Sequence, residues 1–164
     1  GIDVSRSIGL DAGESLDASR DIRIRAVASA HETLDRIETG EHLFLGYILQ
    51  FGNISVYHSG DCVPYEGLAE TLSQFQIDVA LLPVNGRSEF LGSRNIPGNF
   101  FFSEAVALCR SAGIPELVCH HFGMFAFNTV EKDWLQEQIA CASHEVRCHL
   151  PSVDKTFDVR EYSQ

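Results

Sequence analysis

From Ile54 onward, short apolar runs alternate with stretches whose apolar residues recur at helical spacing, and no other feature constrains the fold as tightly. Ile54-Ser55-Val56-Tyr57 reads as a strand. Leu68, Leu72 and Phe75 then mark one face of a helix within Tyr65 to Phe75, and Ile77 to Leu82 is a continuous apolar strand. A second helix is predicted from Ser103, as its N-cap, to about Ser111, with Gly113 as its stop. Leu117-Val118-Cys119 forms the next strand. A third helix opens near Thr129, Glu131 and Lys132 and carries Trp134, Leu135 and Ile139, and Val146 to Leu150 and Phe157 to Val159 read as closing strands. Upstream, Ile22, Ile24 and Ala26 alternate with Arg23, Arg25 and Val27, the period of a half-buried strand. The run Leu43 to Phe51 meets Gly52-Asn53, a pair tolerant of positive φ, so a hairpin is expected there. Asn85 to Phe102, rich in Gly, Asn and Pro, reads as a long irregular loop. The expected fold is α/β, a mixed sheet with helices on one face.

Size and charge narrow the function classes. At 164 residues and 45% hydrophobic content, one ordinary domain with a real core is expected. A net charge of −11 opposes nucleic acid and anionic membranes as partners. The five cysteines form no CxxC pair or regular framework, which points to a reducing cytoplasm. No apolar run reaches membrane-spanning length.

Three predicted strands run out in residues able to bind metal: His31, Asp61 and His121. Polar residues past the C-terminal ends of core strands gather along one rim of such a sheet. Imidazole and carboxylate together suit zinc, manganese or iron, and a carboxylate can bridge two ions. Each histidine taken singly also reads as a surface or hydrogen-bonded core residue. His58 lies three positions before Asp61, on the opposite face of a strand, and is read as a structural hydrogen-bonding residue. Cys62 reads as a small space-filling residue.

The ordered series Ala30-His31-Glu32, Gly46-Tyr47-Ile48 and Tyr57-His58-Ser59-Gly60-Asp61 resembles the second half of metallo-β-lactamase-fold hydrolases, in particular the branch containing the L-ascorbate-6-phosphate lactonases. Leu82-Pro83-Val84-Asn85-Gly86-Arg87, Gly98-Asn99, Glu104-Ala105 and His121-Phe122-Gly123-Met124-Phe125 with Asn128 continue the likeness, which spans about Asp21 to Leu150. The resemblance implies half of a four-layer αββα sandwich. It makes His31 the late ligand of a first metal position, Asp61 the carboxylate between two positions, and His121 the last ligand of the second. His120 falls where the family usually has a strand residue. The implied cofactor is a divalent metal, zinc or manganese, as one ion or two.

One departure has physical weight: the family's His-x-His-x-Asp-His loop, which supplies the remaining ligands, is absent from these 164 residues. A catalytic zinc usually has three protein ligands and an open water position, and here each position keeps at most two. The chain, which opens at Gly1, is therefore expected to be the C-terminal half of a metallo-β-lactamase-like domain over residues 1–164, inactive alone. The missing half, or self-association into a homo-oligomer, is expected to cover its partner-facing surface. Asp61 is the expected catalytic residue of the completed hydrolase. Asn85, Arg87, Arg94, Asn99 and Asn128 are expected to receive a small anionic substrate such as a phosphorylated sugar lactone, since Arg suits bidentate anion recognition. The competing reading is a non-catalytic interaction module that retains the second half of the fold.

Overall fold

The computed structural model describes residues 5, 7–142, 146–153 and 156. Among these residues the chain forms strands β1 (Ser15–Ser19), β2 (Ile22–Ala28), β3 (Leu45–Phe51) and β4 (Ile54–His58), then helix α1 (Leu68–Ser73) and strand β5 (Val79–Pro83). Helices α2 (Glu89–Gly92) and α3 (Phe102–Ala112), strand β6 (Glu116–His120), helix α4 (Lys132–Cys141) and strand β7 (Arg147–His149) follow. All seven strands join one sheet in chain order, antiparallel from β1 to β4 and parallel from β4 to β7.

Local chemistry accounts for the joints. Phe51 pairs with Ile54 across a two-residue turn, and Gly52 supplies the left-handed backbone at φ 58°. Parallel neighbours cannot be joined by a tight turn, so helical segments carry the chain between β4 and β5, β5 and β6, and β6 and β7. Leu68 and Leu72 of α1, Phe102, Ala105 and Leu108 of α3, and Leu135 of α4 pack in one core with Val27, Ile48, Tyr57, Ala80, Leu82 and Leu117. Those strand residues occupy one face of the sheet, so the helices cover that face. The other face presents Ile24, Tyr47, Leu49, Phe51, Val56 and Leu81, with Tyr47 and Phe51 exposed.

The α/β architecture with helices on one face matches the sequence reading, and several boundaries differ for local reasons. β1 carries a single large apolar residue, Leu16, which pairs opposite Ile24. α1 begins only at Leu68 because Gly67 turns the chain at φ 89°. The segment Asn85 to Phe102 holds α2, which Ser88 caps by accepting the Leu91 N–H. α3 starts two residues earlier than predicted, with Phe101 rather than Ser103 at its N-cap and Ser103 inside its first turn, and the Glu104 carboxylate accepts the Phe101 N–H at 2.9 Å. Thr129 does not cap α4; its hydroxyl accepts the Gly123 N–H at 2.6 Å. Phe157 to Val159 lies outside the described residues. No described helix is long and apolar enough to cross a membrane.

Candidate metal centre

Two antiparallel pairings in succession make β2 run parallel to β4, and the parallel pairings extend that direction to β5 and β6. The C-terminal ends of β2, β4, β5 and β6 therefore share one rim. His31, Asp61, Asn85 and His121 each follow one of those ends within three residues.

The structure brings His31, Asp61 and His121 together. His31 Nε2 lies 3.8 Å from Asp61 Oδ2, and His121 Nε2 lies 3.5 Å from Asp61 Oδ1. These separations exceed a normal hydrogen bond. They approach the spacing of two donors on a common tetrahedral ion, about 3.4 Å for ligand bonds of 2.0–2.2 Å. Among the described residues no three such groups close around a single point. Each histidine instead faces its own oxygen of the one carboxylate. The donor set fits a divalent metal and leaves each position short of ligands. Solvent reaches all three side chains, which are 30%, 43% and 20% exposed for His31, Asp61 and His121.

Backbone and packing aim these groups. The His31 ring lies against Phe44, centroid to centroid 4.9 Å. Ser29, buried just before it, places Oγ 2.9 Å from Ser59 O and 3.1 Å from Asp61 O, so one hydroxyl proton is shared between two carbonyls of the Asp61 loop. Tyr65 donates to Ala28 O and Val63 N–H to Ala30 O, tying the same loop to the end of β2. His121 is one of two described non-glycine residues with positive φ, at 60°. Such backbone costs a β-carbon-bearing residue of order 1–3 kcal/mol and persists where the surroundings hold it. Glycine carries no such penalty. The metal-free His121→Gly variant should accordingly melt above His121→Ala, by roughly 1 kcal/mol in stability, the reverse of the usual order; calorimetry of the pair checks it.

The neighbouring histidines play other parts. His120 ends β6 with its ring against His58, centroids 4.8 Å apart. Burial, then the nearby His58, pulls the His120 pKa down to about 4, which keeps it neutral at pH 7. His58 Nδ1 accepts the Gly60 N–H at 3.0 Å, the structural hydrogen bond expected of it. Cys62 is fully buried, its thiol pKa raised by burial, which suits a space-filling residue better than a nucleophile.

The side chains expected to meet substrate are placed differently from one another. Asn85, Asn99 and Asn128 are buried, and their amides bind one another: Asn99 Nδ2 donates to Asn85 Oδ1 and Asn85 Nδ2 to Asn128 Oδ1, each at 2.9 Å. Arg87 grips Glu104 with two hydrogen bonds of 2.6 and 2.7 Å and stacks on Phe101. Arg94 donates to Phe90 O, lies over the Phe90 ring and has no carboxylate partner among the described residues. Ser29 was absent from the sequence reading because a lone serine after a strand carries no periodic signal.

A family model described as the beta-lactamase superfamily domain matches residues 3–122. A metal-dependent hydrolase of Myxococcus xanthus (strain DK1622) is 26% identical over 131 residues, which cover 76% of this chain and 43% of that protein. In three dimensions the chain is similar to a metallo hydrolase from the hyperthermophilic archaeon Ignicoccus hospitalis, with a TM-score of 0.65 and 17% identity over 88% of this chain and 57% of that one. It is also similar to the isothiocyanate hydrolase from Delia radicum gut bacteria, with a TM-score of 0.65 and 13% identity over 84% and 54% of the two chains. The chain thus spans about half the length of the relatives it matches. With the family model covering most of the chain, and the sheet, helices and rim arranged as described, the protein belongs to the beta-lactamase superfamily domain family.

Proposed function

We propose that this chain is the C-terminal share of a metal-dependent hydrolase site that needs a further half-domain to work. The observation that carries the reading is the Asp61 carboxylate, which offers one oxygen toward each of two histidines. His31 and Asp61 would hold one divalent ion, zinc or manganese, and Asp61 and His121 a second. A bound ion supplies Lewis acidity and lowers the pKa of water from 15.7 toward about 7. Asp61 then orients the attacking water by accepting its hydrogen bond, and the histidines fix where that water sits. Arg94, without a carboxylate partner among the described residues, is the candidate donor for an anionic substrate in an otherwise acidic chain.

The finer reading is a lactonase acting on a phosphorylated sugar lactone such as L-ascorbate 6-phosphate, and it rests on the sequence resemblance from Ala30 to Asn128. A reducing cytoplasm belongs to the same proposal, supported by five free thiols. The uncovered apolar face of the sheet supports a partner layer, either the missing half or a second copy of the chain, since sheets bury one another face to face.

The test compares this chain with a version extended to the length of its relatives, each supplied with zinc or manganese and assayed by elemental analysis and lactone hydrolysis. The short chain is expected to hold less than one ion and to show no turnover, and the long one to hold metal and hydrolyse. Stoichiometric metal and full turnover by the short chain would refute the half-site reading. A folded, metal-loaded long chain without hydrolysis would favour the non-catalytic module.

A further inference from the structure

We propose that Ser29 and Asn99 are positioning residues that clamp the peptide plane between Asp61 and Cys62 from its two edges, and so set the direction of the Asp61 carboxylate. This rests on the reading of Asp61 as the carboxylate between two metal positions. The two polar ends of that single peptide group are the Asp61 carbonyl and the Cys62 N–H. Ser29 Oγ, whose one proton is shared with Ser59 O at 2.9 Å, approaches the carbonyl at 3.1 Å, and the Cys62 N–H donates to Asn99 Oδ1 at 2.8 Å. Both clamping side chains are 2% exposed, so water does not compete for either bond. Asp61 itself lies outside any strand or helix, with a side chain 43% exposed. Nothing in its own segment fixes its ψ, whereas a peptide plane held at both edges does.

The Asn99 bond has a determined polarity. Cys62 N–H can only donate, which turns the Asn99 oxygen toward it and the Asn99 nitrogen toward Asn85. Asn85 then faces its own nitrogen to Asn128 Oδ1, and Asn128 Nδ2 is left pointing at Pro97 O, 3.5 Å away, a group that can only accept. Backbone groups of fixed sign at both ends thus select one orientation for all three amides, and no member can flip without opposing like poles. The relay spans the loops that follow β4, β5 and β6. Asn99 is held as firmly as the peptide it holds.

The arrangement also explains why these amides serve the site from behind. An asparagine whose oxygen and nitrogen are both engaged inside the protein has little left to offer a substrate. Its remaining influence on chemistry passes through the geometry of Asp61, in the way that groups behind metal ligands commonly orient them.

The experiment uses this chain with zinc as the probe and two readouts by nuclear magnetic resonance: amide hydrogen exchange at Cys62 without metal, and zinc affinity from titration shifts. Asn99→Ala is expected to speed Cys62 exchange by about tenfold and to weaken zinc binding by about 10–100-fold. Ser29→Ala, a gentler change should Asn99→Ala fold poorly, is expected to weaken zinc binding in the same direction. Leu72→Ala, in the core under α1, is the control for destabilisation alone, and it should lower the melting temperature while leaving zinc affinity within about twofold. Unchanged Cys62 exchange and unchanged zinc affinity in Asn99→Ala and Ser29→Ala would overturn the clamp even if Asp61→Asn abolished binding. A loss of affinity in Leu72→Ala equal to that in Asn99→Ala would overturn it too, by showing a general structural effect. If Asp61→Asn binds zinc as the parent does, the ligand reading itself fails and takes the clamp's role with it, a result distinct from the other two.

Discussion

Asp61→Ala in the completed protein is expected to strip metal from both positions at once and to lower hydrolysis by more than about a hundredfold, because under the proposed function one side chain would serve both ions and position the reacting water. His31→Ala or His121→Ala, each facing a single carboxylate oxygen, should empty one position and leave the other partly filled. The contrast with stability makes the prediction specific. The Asp61 side chain is 43% exposed, and its loop is held through backbone groups by Ser29, Asn99 and Ala30. Loss of the carboxylate should therefore move the metal-free stability by no more than about 0.5 kcal/mol. Metal content by elemental analysis, read beside a thermal melt, checks both halves. Retained metal at both positions, or a collapse in stability, would show that Asp61 is a structural residue.

Gly98→Ala should do the opposite, lowering stability while leaving every ligand side chain in place. A β-carbon at Gly98 would stand 2.3 Å from Arg87 Cβ, 2.4 Å from Gly86 O and 2.5 Å from Arg87 Cα. Two of these are backbone atoms, so no rotamer change relieves the contact. The backbone there is closed by bonds from Asn99 N–H to Gly86 O and from Gly86 N–H to Phe100 O, each 2.9 Å, and the methyl must pry them apart. Overpacking of this kind costs about 3 kcal/mol, which for a domain of this size lowers the melting temperature by roughly 6–12 °C. Gly92→Ala, where nothing lies within 4 Å, is the control and should be neutral or slightly stabilising. Equal melting temperatures for the two variants would mean that the Gly86 to Phe100 closure is loose.

The parts of the fold that could be read from sequence are those whose signal is local. The hairpin at Gly52-Asn53, the strand β2 and the stop of α3 at Gly113 each depend on residues within a few positions and stand where expected, although burial along β2 does not alternate and its core residue is Val27, on the face of Arg25. β1 could not be read because Ser15–Ser19 has a single large apolar side chain, Leu16, and exists by pairing with β2. At the rim, His31, Asp61 and His121 were legible because strand ends are local and their common edge follows from topology. The internal partners of Asn85, Asn99, Asn128 and Arg87 were not, since they sit 12 to 43 residues away and amide or guanidinium chemistry alone does not tell a substrate contact from an internal bond. The choice between His120 and His121 lies between these cases. Adjacent residues leave a strand in opposite directions, and the left-handed turn at His121 sends that ring to the rim while His120 stays against His58.

Strand order in this sheet equals chain order, and that has a consequence for how the protein is made. Every strand docks on the one synthesised just before it, so no gap must be held open for a later arrival, and the sheet can grow outward as the chain leaves the ribosome. The growing edge passes from β4 to β5 to β6, each briefly offering unpaired backbone to other chains. β7, only three residues long and fastened by Arg147 and His149 to Glu116, is the last described strand and leaves a short edge. His31 and Asp61 are in place early in this sequence, and His121 is the last of the three to arrive.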